Sequence, residues 1–493
     1  MPKSWTRSRL AGRVVSGATL AAATFAAGFA PTHPARAEDP PQAQAVAPRP
    51  NVVLVVVDDL NHDLGFSGAD VQTPNFDRLA ERGLVFTNAH TNAPVCNPSR
   101  TSFLLGQYPP TTGVQENNTY FRELPHLRDA VTLPQHFREN GYHTVGAGKI
   151  FHHGWRPNRN QQNRFLDRSA SWDQYAQIKH GTPWPRPRPN NWHQGQVRTW
   201  WGKSFWWKAM DFDDAETGDW KNAAHIAEHL APPLPDKPMF LACGIFRPHV
   251  PFVAAQKYFD LYDLPDTPTE SLAGYLENDV NDLPPTARKW ANKTGLHRAL
   301  MRQNMWDDAV EAYRASTTYA DACFGQVLDA YDRSPARDHT YLIVTSDHGF
   351  QLGEKGAWTK FSFWERTTRV PFIVIGPGIE PGVSERTVSL IDLYPTLIAL
   401  AGLPERDGLE GQDISPLFDD PHRPWDSVAR VFHEAAENEA VIDEEFRYIR
   451  YANGDEELYD RRADPHDWHN LATDPTYADV LERYRAKRWF AEP

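Results

Sequence analysis

The chain has 493 residues and a formal net charge of −13 at pH 7. Hydrophobic residues make up 40% and charged residues 23%, a globular composition that excludes a globally disordered chain. The acidic balance argues against nonspecific binding to nucleic acid. Three cysteines are too few for a disulfide scaffold, and the body of the sequence has no apolar run of membrane-spanning length. We therefore expect one large globular domain, or a large domain with a small companion.

The first residues have the pattern of an export signal. Residues 1–37 carry five basic side chains and no acidic one, and an Ala- and Gly-rich stretch, residues 16–30, precedes Ala35-Arg36-Ala37. A basic start, an apolar stretch and a small-residue cleavage motif are typical of a cleaved secretory signal. We expect an exported protein, periplasmic or secreted, in which residues 38–50, rich in Pro and Ala, form a linker.

Short apolar runs alternate with helical patterns, which predicts an α/β fold with a central, mostly parallel sheet and helices on both faces. The predicted strands are Val52–Val57, Tyr142–Val145, Met239–Ile245, Tyr341–Thr345 and Pro371–Ile375. The predicted helices are Asn75–Arg82, Leu133–Asn140, Lys221–Leu230, Val310–Tyr331 and Ser389–Ala401.

The pattern changes after the last of these helices. We assign residues 51–420 to a catalytic domain and residues 421–493 to a smaller C-terminal subdomain. In the subdomain, Phe446–Tyr451 and Glu457–Tyr459 read as strands of a short antiparallel sheet, and a helix is expected near the end of the chain.

Two pairs of polar residues come at the ends of predicted strands. Asp58-Asp59 follows the Val-rich run directly, and Asp347-His348 lies just beyond the run that ends at Thr345. Adjacent carboxylates repel each other unless a cation lies between them, and the carboxyl ends of parallel strands meet at one edge of a sheet. A single Asp-Asp pair is more often a cap or a turn. Two pairs together predict a site for a hard cation, Ca²⁺ or Mg²⁺.

Cys96 opens a predicted helix that runs to about Leu105, with Pro98 in its first turn. A helix amino terminus stabilises negative charge, and Arg100, one turn on, adds a positive charge at the same end. A lone cysteine is more often a buried apolar residue. The context Cys96-Asn97-Pro98-Ser99-Arg100 favours a reactive position instead.

This motif, with Thr101 and Leu105-Gly106 after it, resembles the signature of the type I sulfatases. The resemblance extends from Asn51 to about Leu471. It implies an alkaline-phosphatase-like fold and a maturation enzyme that oxidises Cys96 to formylglycine (3-oxoalanine), whose hydrate is the nucleophile. It also favours Ca²⁺ over Mg²⁺ and implies five metal ligands: Asp58, Asp59, Cys96, Asp347 and His348.

Further segments narrow the resemblance. Gly148–His152 resembles the Lys/His element of the family. Two other segments, Arg247–Phe252 and Gly356–Lys360, resemble elements of iduronate-2-sulfatases. His348, at a position where many sulfatases have Asn, fits the same subgroup. The implied substrate is a 2-O-sulfated uronic acid of a sulfated oligosaccharide or polysaccharide, from an algal source or a glycosaminoglycan. Asn97 departs from the smaller residue often found at its position.

The resemblance also implies roles for the remaining site residues. The hydrate at Cys96 attacks sulfur, and the metal polarises the sulfate and the nucleophile. His249 and Lys360 hold the sulfate and help to protonate the departing alcohol. Lys149 and Arg100 brace the formylglycine and balance charge. His152 removes the proton from the second hydroxyl of the hydrate, which expels sulfate. His153, beside it, is a second candidate for this role.

Residues 179–208 form an unusual stretch in this acidic protein, with six basic residues, six tryptophans and no acid. Aromatic faces stack on sugar rings, and cationic side chains attract sulfate and carboxylate groups. We expect Trp200, Trp201 and Arg198 to contribute to the rim of a saccharide subsite. Simple packing of a Trp-rich insertion on the domain is an equal alternative.

Other functions stay open at this point. A phosphonate monoester or phosphodiester hydrolase would use the same nucleophile and metal, and a catalytically silent glycan-binding protein would keep Cys96 unmodified. Cys243, in a predicted strand, and Cys323, in a predicted helix, are expected to be buried structural thiols, and a bridge between them stays open.

Overall fold

The computed structural model describes residues 49–152, 166–176, 195–198, 204–262 and 278–489. Residues 48–493 form one compact unit. The predicted export signal, residues 1–37, and nearly all of the predicted linker lie outside the described residues. Within the described residues, no helix is both long enough and apolar enough to cross a membrane.

The strands are numbered in chain order: β1 Asn51–Val57, β2 Leu84–Phe86, β3 Ala89–His90, β4 His143–Gly148, β5 Gln174–Ala176, β6 Gly195–Arg198, β7 Ser204–Met210, β8 Met239–Ile245, β9 Phe252–Ala255, β10 Thr340–Ser346, β11 Gln351–Leu352, β12 Trp358–Thr359, β13 Phe372–Ile375, β14 Gly382–Ser384, β15 Val388–Ser389, β16 Ala429–His433, β17 Ala435–Ile442, β18 Phe446–Arg450 and β19 Glu456–Asp460. The α-helices are Pro74–Ala80, Cys96–Leu105, Pro109–Thr112, Leu133–Glu139, Arg168–Ser171, Gly218–Glu228, Gln256–Phe259, Pro285–Ala291, Leu296–Arg302, Trp306–Arg333, Glu365–Thr368, Leu393–Leu400, Pro416–Asp419 and Ala478–Ala486.

Eight strands form the central sheet, in the order β14-β2-β13-β10-β1-β8-β4-β5. The predicted sheet is confirmed, with one correction. The run Pro371–Ile375 was predicted as a parallel strand, but β13 pairs antiparallel with both β10 and β2. An apolar run shows that a strand is buried, but its composition does not encode the strand's direction.

Two apolar layers cover the faces of this sheet, because successive side chains of a strand point to opposite faces. Val53, Val55 and Val57 of β1 pack on one face, against the helices Gly218–Glu228 and Trp306–Arg333. Val52, Leu54 and Val56 pack on the other face, against the helices Cys96–Leu105 and Leu393–Leu400. The helices on both faces that the sequence predicts are therefore present.

The C-terminal region contains a four-stranded antiparallel sheet, in the order β16-β17-β18-β19, and the helix Ala478–Ala486. The antiparallel sheet and terminal helix agree with the prediction, although β16 and β17 were not predicted. One apolar cluster joins this sheet to the rest of the protein, since Phe363 and Trp364 pack with Ile449 and Tyr459.

The register of the central sheet explains where the site forms. Val57 pairs with Ser346 of β10 and with Ile245 of β8. The three strands therefore end side by side, and the segments that follow them emerge at one edge of the sheet. Three segments with predicted site residues begin at this edge: Asp58-Asp59, the loop Phe246–Pro251 and Asp347-His348.

Candidate active site

Asp58 and Asp59 are fully buried directly after β1. Neighbouring residues of a regular strand point to opposite faces. Asp59 instead has a φ of 63°, in the left-handed region, and the chain leaves the strand geometry at this residue. Both carboxylates consequently face the same site, where oxygen atoms of Asp58 and Asp59 lie within 4.8 Å of each other, of Cys96 Sγ and of a His348 ring nitrogen.

His348 reaches this cluster from just beyond the end of β10, and Asp347 lies beside it. The Asp347 Oδ1 atom accepts hydrogen bonds from the backbone of Asp59 at 3.2 Å and of His348 at 3.1 Å. The His348 Nδ1 atom lies 3.0 Å from the carbonyl of Gly349, so it donates there, and Nε2 is left facing the cluster. Nε2 lies 3.6 Å from carboxylate oxygens of both Asp59 and Asp347.

Cys96 lies at the first position of its helix, whose observed bounds match the prediction. Its side chain is fully buried, and Sγ lies 3.1 Å from Lys360 Nζ and 3.3 Å from His348 Nε2. Burial raises the pKa of the Cys96 thiol, but the charges of Lys149, Lys360 and His348 outweigh it and leave the pKa well below its usual range. Residue 96 is therefore held in a strongly electropositive position.

Buried cations balance the carboxylates. Arg100 is fully buried between Asp58, at 3.1 Å, and Asp347, at 2.9 Å. Lys149 pairs with the other oxygen of Asp58, and Lys360 Nζ lies 2.6 Å from Asp59 Oδ1. Burial alone would raise the pKa of Asp58, but Lys149 and the other cations lower it below its usual range. Burial instead prevails at Asp347, whose pKa rises to about 6.

The donor set fits a divalent cation. Asp58 and Asp59 supply carboxylate oxygens, which hard cations such as Ca²⁺ and Mg²⁺ prefer, and His348 supplies one nitrogen. The oxygens of Asp347, the remaining predicted carboxylate ligand, lie outside this group and accept hydrogen bonds from backbone N–H groups and from Arg100. Asp59 Oδ2 is buried and accepts no hydrogen bond among the described residues, as expected for an oxygen that binds a metal.

His249 and His152 approach from two other loops. His249 Nδ1 lies 2.7 Å from the carbonyl of Val250, and its Nε2 lies 3.9 Å from Asp59 Oδ2. His152 is hydrogen-bonded to Cys96, which raises the pKa of His152, although the larger effect of burial leaves that pKa lowered. His153 lies outside the described residues. The structure thus brings His152 to Cys96.

The sequence reasoning missed several residues that support these groups. Thr91 and Ser99 donate hydrogen bonds to the carbonyl of Asp347, at 2.7 and 2.6 Å. The half-buried ring of Phe246 lies 4.6 Å from that of His249, with Lys149 Nζ 5.3 Å from its centre. Phe246 could have been considered because it precedes the segment Arg247–Phe252, whereas a threonine or serine of this kind carries no local signal.

The expected saccharide rim is only partly described. Trp200 and Trp201 lie outside the described residues, and Arg198 ends β6 without a described side chain. In the described part of the stretch, Trp207 is 1% exposed and packs against Phe205 and the apolar core. The packing interpretation therefore applies to Trp207, while the prediction for Trp200, Trp201 and Arg198 stays a prediction.

Cys243 and Cys323 are both buried and free. The expectation of buried thiols is confirmed, and the two residues do not form a bridge. Burial raises the pKa of both thiols, which keeps them protonated and unreactive.

The family follows from comparison with known proteins. The Sulfatase family model matches residues 50–403, and a model of the C-terminal region of N-sulphoglucosamine sulphohydrolase matches residues 353–489. The chain belongs to the sulfatase family, and it is a sulfuric ester hydrolase.

Curated relatives agree with this placement. A sulfatase of Formosa agariphila is 31% identical over 92% of this chain and 88% of its own length. A choline-sulfatase of Rhizobium meliloti is 31% identical over 87% of this chain and 83% of its own. Human iduronate 2-sulfatase is 32% identical over 73% of this chain and 70% of its own.

Solved structures show the same alkaline-phosphatase-like fold. A structure titled a 2-O GAG sulfatase superposes with a TM-score of 0.66 at 22% identity, covering 89% of this chain and 91% of its own. A phosphonate monoester hydrolase of Agrobacterium radiobacter superposes with a TM-score of 0.69 at 22% identity, covering 89% and 94%. At this identity, the likeness concerns the fold alone.

Proposed function

We propose that this protein is an exported sulfatase that uses a formylglycine made from Cys96 and a divalent cation to hydrolyse a 2-O-sulfate ester of a uronic acid in a sulfated saccharide. The observation that carries the proposal is the environment of residue 96. A fully buried Cys96 at a helix start contacts Lys360 and His348 beside three buried carboxylates. This combination suits an activated nucleophile that meets an anionic ester.

The bound cation, held by Asp58, Asp59, Asp347 and His348, would polarise a sulfate oxygen and lower the pKa of the nucleophile's hydroxyl. The residues of the chain perform the remaining tasks. The ammonium group of Lys360 and the imidazole of His249, both near Asp59, would stabilise the negative charge that develops on the sulfate and help to protonate the departing alcohol. His152, which is hydrogen-bonded to residue 96, takes up the proton of the second hydroxyl at that residue when sulfate is released.

The substrate assignment rests on two segments. Arg247–Phe252 carries His249 and Gly356–Lys360 carries Lys360, and both resemble elements of iduronate-2-sulfatases. The human iduronate 2-sulfatase relative supports this assignment, whereas the choline-sulfatase relative, of similar identity, acts by name on a different substrate. We favour the uronate because these two segments carry site residues, Lys360 beside Cys96 and His249 near Asp59.

The organisation of the chain is part of the same proposal. Residues 1–37 would direct export, residues 51–420 would form the catalytic domain, and residues 421–493 the C-terminal subdomain. The maturation enzyme that converts Cys96 would be the protein partner, and a sulfated saccharide the substrate partner.

The decisive experiment measures sulfate release from a disaccharide that ends in a 2-sulfated uronate. The protein would be co-produced with a maturation enzyme, and conversion at residue 96 would be checked by peptide mass. We expect release by the wild-type protein, and we expect none from Cys96→Ala.

Three other results would change the proposal. Cleavage of an aryl sulfate without release from the disaccharide would retain the nucleophile and discard the uronate. Preferential cleavage of a phosphonate monoester would favour the alternative hydrolase. Binding of the disaccharide with an unmodified thiol at residue 96 and no turnover would favour the silent glycan-binding protein.

A further inference from the structure

The backbone of Asp59 leaves the strand geometry. Its φ of 63° lies in the left-handed region, which is uncommon for residues other than glycine, although Asp and Asn enter it more readily than most. The two carboxylates of Asp58 and Asp59 face one site only because the chain turns there. Whatever holds this turn therefore also holds the metal ligand Asp59 in place.

Tyr313 contacts this turn from the helix Trp306–Arg333. Its hydroxyl donates a hydrogen bond to the carbonyl oxygen of Asp59 at 2.9 Å and accepts one from the backbone N–H of Asn61 at 3.0 Å. One phenol thus connects the residues before and after the turn. The phenol uses both its donor and one acceptor site on the backbone.

The Tyr313 ring is itself held rigidly. The residue is 3% exposed and packs between segments that lead to the active site. Its ring centre lies 6.0 Å from that of Phe350, two residues after His348, and 5.4 Å from that of Phe252, just after the His249 loop. The hydroxyl therefore has little freedom to leave the turn.

We infer that Tyr313 is a positioning residue for the divalent cation, acting through Asp59. This inference rests on the proposed function in that it requires the cation. Its hydroxyl holds the left-handed turn, which would keep Asp59 Oδ2, an oxygen that accepts no hydrogen bond among the described side chains, available to bind the ion. Outer-shell hydrogen bonds of this kind set both the orientation of metal ligands and the affinity of the site.

The test compares Ca²⁺ binding by variants that lose one hydroxyl each. Tyr313→Phe keeps the ring and removes the two hydrogen bonds. Tyr331→Phe is the matched control, because Tyr331 is a buried tyrosine of the same helix whose hydroxyl donates to a backbone carbonyl, that of Thr340, at 3.2 Å. Thr340 starts β10, whereas the site lies beyond its other end.

Each full-length protein would be stripped with a chelator and titrated with Ca²⁺ by isothermal titration calorimetry. We expect Tyr313→Phe to raise the Kd about tenfold and Tyr331→Phe to leave it within about twofold. The increase of Tm produced by saturating Ca²⁺ gives a second measurement on the same samples, and it should be smaller for Tyr313→Phe than for Tyr331→Phe.

An unchanged Kd for Tyr313→Phe, or an equal increase of Kd in both variants, would overturn the inference and leave the proposed function intact. If the wild-type protein bound neither Ca²⁺ nor Mg²⁺, the metal assignment would fail and this inference would fail with it. Sulfate release by the wild-type protein, measured separately, distinguishes these two cases.

Discussion

The ammonium group of Lys360 lies between the carboxylate of Asp59 and the side chain of Cys96. It is 2.6 Å from a carboxylate oxygen of Asp59 and 3.1 Å from the sulfur of Cys96. Burial lowers the pKa of Lys360, but Asp59, Cys96 and other acidic groups raise it above its ordinary value, so the side chain stays charged. A fixed positive charge in a buried site stabilises developing negative charge far more than it could in water.

We therefore expect Lys360→Met to lower kcat/KM for an aryl sulfate by about 100- to 1,000-fold. Steady-state kinetics on protein with verified conversion at residue 96 would measure this. Lys257→Met is the matched control, since Lys257 also pairs with a buried carboxylate, that of Asp214, but at the surface. A loss for Lys360→Met no larger than that of the control would show that its charge is not used in catalysis.

At the residue scale, the sequence indicated the groups whose pattern is local, and the structure brings these groups together. Asp58-Asp59, Cys96 and Asp347-His348 were recognised because each group lies within a few consecutive residues at the end of an apolar run or the start of a helix. Tyr313 could not be recognised in the same way. It lies 254 residues from Asp59 inside a regular helix, and only the folded chain brings its hydroxyl to that turn.

At the scale of elements, the segment that carries Lys360 is anchored by the C-terminal sheet. Arg447 of β18 is fully buried and donates hydrogen bonds to the carbonyl of Phe363 at 2.6 Å and to the Thr368 hydroxyl at 2.8 Å. It also pairs with Glu365 and, at 2.9 Å, with Asp467. One guanidinium therefore holds both ends of the short stretch that follows Lys360.

Removing this guanidinium would leave Glu365 and Asp467 buried with fewer partners. We expect Arg447→Met to lower the free energy of unfolding by about 3–5 kcal/mol, because a broken buried ion pair leaves an uncompensated charge. Urea unfolding would measure it. The control is Arg462→Met, which breaks an exposed pair with Glu445 and should lower the free energy of unfolding by about 1 kcal/mol or less. Similar losses of unfolding free energy for the two variants would contradict the anchoring role.

The elements also show why some strands were predicted and others were not. Met239–Ile245 was predicted with its observed bounds because it is a continuous run of apolar residues and glycine that begins directly after a proline. β16 and β17 were missed because their residues mix polar and apolar types, including Glu439, which is nevertheless fully buried. Their pairing depends on contacts with β18 and with distant strands such as β3, which no local pattern reveals.

At the scale of the whole molecule, stability should depend on pH through buried acids that have no cation beside them. Asp392 is 3% exposed at the start of the helix Leu393–Leu400. Burial raises its pKa to about 7, although backbone hydrogen bonds from Gln412 and Ser389 partly oppose this. The folded-state pKa thus exceeds the unfolded value of about 3.9.

Because the folded state binds this proton more tightly, the contribution of Asp392 to the free energy of unfolding increases as pH falls from about 7 toward 4. We expect wild-type protein to gain stability relative to Asp392→Asn over this range, by up to about 1.4 kcal/mol per pH unit. Urea unfolding at several pH values would measure the difference. The exposed Asp407→Asn serves as control, and equal pH slopes for wild type and Asp392→Asn would contradict the assignment.

The complete burial of Cys96 constrains the order of events in the life of the protein. Its side chain has no exposed surface, and the helix that begins with it is buried along its whole length. A modifying enzyme has to surround the residue it oxidises, and it cannot do so at the bottom of a packed interior. Under the proposed function, conversion must therefore take place before the polypeptide has folded around that sulfur.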